Sequence, residues 1–175
     1  FIAAIALVGF LIFSSAALGL LSGDGASYNQ VVWNQSLTLL AGLITLLVIG
    51  RWPYRRWRKM AVWLFGLSLL LTLLVFVPGL GFSSGGASRW ISFGSRTFQP
   101  SEFLKLGFVI YLAAWLAKIR ERVTTWQSGF LPFLFLGGLT MLILVTQPDI
   151  GTGLVLFTAA TAMFFAAGAS WRQIS

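Results

Sequence analysis

Glu102 and Lys105 stand three residues apart in Pro100-Ser-Glu-Phe-Leu-Lys105, a spacing that puts a carboxylate and an ammonium on one face of a helix. Pro suits the first helical position, and a carboxylate two residues later meets free amides and the positive end of the dipole. One reading is a helix start with a local ion pair. The other, favoured here, is a charged pair facing a bundle interior or aqueous cavity, because an ammonium one turn into a membrane is costly. A second acidic motif, Gln147-Pro-Asp-Ile-Gly-Thr152, bridges two apolar runs. In it Asp149 either caps the following helix or faces the same site as Glu102. Gly151 permits close backbone approach, and Thr152 can cap or hydrogen-bond. Arg89 and Arg96 lie in a loop with no acidic residue of its own. They either snorkel to headgroups or bind an anionic ligand, for which a guanidinium fork suits phosphate. Trp90, beside Arg89, packs on a lipid tail or sugar ring, or anchors the interface.

Other chemistries are closed. The chain holds four carboxylates (Asp24, Glu102, Glu121 and Asp149), no His and no Cys. Disulfides, thiolate nucleophiles, His-based triads and ordinary zinc sites are therefore absent. Asp24, between two glycines, reads as a turn residue, and Glu121, between Arg120 and Arg122, as a solvated charge. The glycines at 79, 81, 85 and 86 do not fit a phosphate-loop spacing. The sequence calls for no cofactor, and a divalent cation at the site is left open.

The elements that position these residues follow from the distribution of charge. Hydrophobic residues make up 58% of the 175 and charged residues 9%, against roughly 25% charged in a soluble domain. Mean hydropathy is +0.89. Uncharged runs cover 1–23, 25–50, 60–88, 106–117, 123–148 and 150–171, and about 20 apolar residues span a bilayer as a helix. The reading is an all-α polytopic membrane bundle with six transmembrane helices at about 1–22, 31–50, 60–78, 100–117, 130–147 and 153–170. The net charge of +8 does not indicate nucleic acid, because the cations sit in short clusters between spans. With an internal N-terminus, nine cations (five in 51–59, then Lys118, Arg120, Arg122 and Arg172) fall on one side and Arg89 and Arg96 on the other. The first side is then cytoplasmic. Trp52, Tyr54, Trp57, Trp63, Trp115, Trp126 and Trp171 gather near that boundary as an interfacial belt. The apolar run at the start is long for a signal peptide and lacks a basic n-region. The chain begins at Phe1 and ends at Ser175 just after a span, so a piece of a longer polytopic protein is expected. The 79–99 segment is read as a long outer loop, on the interface or folded back into a cavity, and such loops are disproportionately functional.

Gly86-Ala-Ser-Arg-Trp-Ile91, Phe98-Gln-Pro-Ser-Glu-Phe-Leu-Lys105 and Gln147-Pro-Asp-Ile-Gly-Thr152, in this order and on the expected sides, resemble the FtsW/RodA/SpoVE (SEDS) family over the whole chain. Leu74-Val-Phe-Val-Pro-Gly-Leu-Gly81 leans toward the FtsW division branch. The resemblance implies a ten-helix peptidoglycan glycosyltransferase of the bacterial inner membrane. Such an enzyme polymerises lipid II on the outer side and works with a class B penicillin-binding protein. It also implies a catalytic Asp beyond residue 175, so no catalytic residue is assigned within this chain. The substrate cavity would include Arg89, Trp90, Gln99, Ser101, Glu102, Lys105, Gln147, Asp149 and Thr152. Ser88 stands where the family often has a second basic residue, which weakens a paired-cation site for pyrophosphate. Two rivals remain: a lipid II flippase or transporter, and a non-catalytic scaffold for the penicillin-binding protein. The absence of a convincing inverted repeat argues against a transporter.

Overall fold

The structure, a computed structural model, describes residues 5, 8–13, 15, 28–77, 81–84, 87–93 and 96–169. The first expected span, 1–22, is described only at residues 5, 8–13 and 15, all of them helical, and Asp24, Trp171 and Arg172 lie outside the described residues. The chain forms two compact units, 1–53 and 54–175. In the first, helix α1 runs Tyr28–Gly50. Its hydroxyls at Ser36, Thr38 and Thr45 donate to carbonyls four residues back, so these polar groups are satisfied within an apolar helix.

In the second unit, α2 runs Tyr54–Leu73 and ends in a 3-10 turn, Leu74–Phe76. It begins six residues before the expected span at 60, directly after Pro53. The cluster read as a loop at 51–59 therefore places Arg55, Arg56, Arg58 and Lys59 on helix. Long cationic side chains are good helix formers and keep their heads in water while the stem lies on apolar surface. Helix α3 runs Pro100–Lys118, α4 runs Leu131–Thr146 after a π turn at Trp126–Phe130, and α5 runs Ile150–Ala166. Four helical stretches, Val32–Gly50, Tyr54–Phe76, Pro100–Lys118 and Trp126–Thr146, are long and apolar enough to cross a membrane by length and composition.

The 79–99 segment adds something to the helical expectation: a three-stranded antiparallel sheet in the order β1 (Gly81–Ser84), β2 (Ala87–Phe93), β3 (Arg96–Phe98). Gly81 and Phe98 both pair with Ile91. Cross-strand partners share a face, so Gly81, Ile91 and Phe98 form one side. That side packs inward. Ile91 is buried, a side chain at Gly81 would collide with the Val75 carbonyl, and the Phe98 ring lies 5.0 Å from that of Phe103.

Along α3, Leu104, Phe108, Leu112 and Leu116 recur every four residues and are buried. They meet Phe130, Phe133, Leu144, Leu156, Ala160 and Phe164 in one core, with the Phe133 and Phe164 rings stacked at 4.3 Å. Helices α2 and α3 pack antiparallel at Gly107, where an added Cβ would lie 2.5 Å from the Ser68 hydroxyl and 3.0 Å from the Leu64 carbonyl. Between α3, α4 and α5 lies an apolar cavity of about 190 Å³, bordered by Gly137 and Gly138. The outward faces stay apolar, with Trp63, Phe135 and Leu142 exposed, as lipid contact requires.

Candidate functional site

Asp149 is the centre of the site. The chain leaves α4 at Thr146, and the Asp149 amide donates back to the Leu144 carbonyl at 2.9 Å. Its carboxylate then caps α5 by accepting the Thr152 amide at 3.4 Å. Capping alone would leave it exposed, yet Asp149 is only 3% accessible. The rest of its surroundings comes from the other motif. Ser101 Oγ donates at 3.0 Å and the Gln99 side-chain amide at 3.4 Å. A guanidinium nitrogen of Arg89 lies 3.7 Å from the second carboxylate oxygen. Three hydrogen-bond donors, from the β3–α3 junction, α3 and α5, and one cation from β2 thus converge on one buried carboxylate, which is how a buried charge becomes tolerable.

The helix start explains why Gln99 and Ser101 reach it. Pro100 fixes the first turn of α3, Gln99 remains extended before it, and Ser101 is buried at 1%. Arg89 lies in β2 at an irregularity in the pairing with β1, between Trp90 opposite Phe82 and Ser88 opposite Ser83, the kind of bulge that re-aims a side chain; Trp90 beside it is half-buried. Arg89 thus has an acidic partner, supplied by a distant turn. The sequence could not show this, because its own loop contains no acid.

Of the nine expected residues, the structure brings Arg89, Gln99, Ser101, Asp149 and Thr152 together. Gln147 is buried beside them in sequence but bonds elsewhere, donating at 2.7 Å to the Thr72 carbonyl in the last turn of α2. Helix C-terminal carbonyls lack intrahelical partners, so this bond ties the α4–α5 turn to α2. Nothing in the sequence around Thr72 marks its carbonyl as an acceptor. Glu102 and Lys105 pair with each other at 2.8 Å, their side chains 55% and 29% exposed, rather than with Asp149. Glu121 is exposed in a 3-10 turn, Arg120–Arg122. Among the described residues, no three carboxylates meet as a metal site would require.

Apolar helices of membrane-spanning length, joined at one end by a small sheet and a buried polar cluster, define a multi-pass helical membrane protein. The family model for FtsW/RodA/SpoVE, described as cell cycle protein, matches residues 1–175, and the chain belongs to that family. A probable peptidoglycan glycosyltransferase FtsW of Geobacter metallireducens is 40% identical over 80% of this chain, which spans 37% of that relative's length. The solved structure of a peptidoglycan synthase complex, described for its coordination of polymerization and crosslinking, aligns with 98% of this chain and 48% of its own. Its TM-score is 0.77 at 27% identity. The crystal structure of the rod shape determining protein RodA of Thermus thermophilus aligns over 97% of this chain and 54% of its own, with TM-score 0.69 and 27% identity.

Proposed function

We propose that these residues form part of a peptidoglycan glycosyltransferase of the division branch in the bacterial cytoplasmic membrane, with the Asp149 end outside. The observation that carries the reading is the meeting of the two polar motifs on Asp149, which anchors the sheet beside an exposed Glu102–Lys105 pair. In the reaction, the 4-hydroxyl of one lipid II attacks the anomeric carbon of a glycan carried on another. The new glycosidic bond forms as the bond to phosphate breaks. The hydroxyl proton passes to a carboxylate, and undecaprenyl pyrophosphate leaves. The base is assigned outside residues 1–175. Within them, Glu102, Lys105 and Arg89 shape the field of the cavity, and a cation near the departing pyrophosphate stabilises its charge. Similarity to the synthase complex supports a crosslinking partner of the class B penicillin-binding type.

The test uses the purified full-length protein with lipid II. Glu102→Ala and Lys105→Ala variants should insert and fold, yet polymerise poorly. Wild-type polymerisation in both would remove their role. Transbilayer movement of lipid II without polymer would favour a flippase, and neither activity would favour a scaffold.

A further inference from the structure

At the end of the α2–α3 pair remote from Asp149, the two helices do not close on each other. They border a cleft of about 190 Å³. On α2 its wall is Arg58, Ala61 and Val62, an i, i+3, i+4 face. On α3 it is Tyr111, Ala114, Trp115 and Lys118, an i, i+3, i+4, i+7 stripe. Small side chains at Ala61 and Ala114 make the floor. Arg58 and Lys118 stand at the mouth, both exposed, and neither has an ion-pair partner among the described residues. Tyr111 is held by stacking on Phe65 at 5.1 Å. No carboxylate lines the cleft. Lys118 lies 17 residues along α3 from Ser101, roughly 25 Å at 1.5 Å per residue. With Ser101 at one membrane boundary, the two cations are then at the other.

We propose that this cleft holds an anionic phospholipid, its phosphodiester between Arg58 and Lys118 and an acyl chain along Val62 and Ala114. Charge complementarity selects the occupant. Two cations with no acid favour a phosphate, an apolar floor opening toward lipid favours a tail, and aromatic side chains fit the headgroup depth. A protein segment would have to bring an acid of its own to a wall that is mostly alanine and aromatic.

The full-length protein, delipidated in detergent, is offered dioleoylphosphatidylglycerol, dioleoylphosphatidylcholine or inorganic phosphate, and retained lipid is counted by native mass spectrometry with thermal unfolding measured alongside. Two cations at the surface correspond to roughly a thirtyfold preference for the anionic lipid. Arg58→Ala with Lys118→Ala should bring retention of the two lipids to near parity. Arg55→Ala with Arg56→Ala removes equal charge outside the cleft and should leave the preference intact. Ala114→Leu, which fills the cleft without altering charge, should abolish the preference and provides the reading if the double alanine variant does not fold. No preference in the wild type, an equal loss in the Arg55/Arg56 variant, an undiminished preference in Ala114→Leu, or equal stabilisation by inorganic phosphate would each overturn the proposal.

Discussion

Truncating Asp149 would strand the donors that bond its carboxylate. Ser101 Oγ, the Gln99 amide and the Thr152 amide all point at its buried oxygens. Asp149→Ala is therefore expected to cost about 3 kcal/mol, the scale of leaving buried polar partners unpaired. Asp149→Asn keeps one acceptor oxygen, loses the charge facing Arg89, whose side chain is 37% exposed, and puts an NH2 donor where the other oxygen accepts. Solvent screens that pair, so the cost attributable to it should stay near 1 kcal/mol or below. Thermal unfolding of the full-length protein in detergent checks both. Equal destabilisation by the two variants would show that one acceptor oxygen is not enough and that the cluster needs the whole carboxylate. The role of Asp149 was half legible in the sequence. An Asp directly before an apolar run signals an N-cap, and the structure shows that cap. Its partnership with Arg89 was not legible, because it depends on a strand register that places Arg89 beside a turn far along the chain.

The sheet illustrates the same division between local and distant information. Ser84 pairs with Ala87, and Phe93 pairs with Arg96. Only Gly85-Gly86 and Gly94-Ser95 separate them in the sequence. Two-residue Gly-rich separations between alternating segments are a hairpin signal, so the strands are legible in the local sequence even though the segment is long enough to pass for a connection. The helices were easier, because uncharged runs fix them, but their starts moved where cations or a cap extend a helix beyond its apolar stretch. Helix-to-helix distance rests on single glycines. Gly107→Ala must push against the Ser68 hydroxyl and the α2 backbone, and overpacking of this kind costs about 1–3 kcal/mol. Gly137→Ala meets no atom within 4 Å and should be neutral or stabilising, since Ala favours helix over Gly by roughly 1 kcal/mol. Unfolding midpoints of the two variants should differ in sign or nearly so. A Gly107→Ala protein as stable as the wild type would mean that α2 and α3 can separate freely.

For the molecule as a whole, the unequal distribution of cations has a directional consequence. Arg55, Arg56, Arg58 and Lys59 lie at the start of α2, Lys118 ends α3, and Arg120 and Arg122 follow it. Because these helices are antiparallel, all seven gather at one end of the second unit. Arg89 and Asp149 occupy the other. Cation-rich segments stay in the cytoplasm during insertion, which predicts the sheet outside. The 175 residues contain no cysteine, so an introduced thiol reports its own position once any others in the full-length protein are replaced by serine. Ser92, exposed on β2, and Glu121, exposed in the turn after α3, lie at opposite ends. A membrane-impermeant maleimide added to spheroplasts should label Ser92→Cys, and should label Glu121→Cys only after the membrane is opened. Labelling of Glu121→Cys in intact spheroplasts would invert the topology. It would also put the Asp149 site on the cytoplasmic side, so the proposed reaction, placed outside the membrane, would fail on geometry alone.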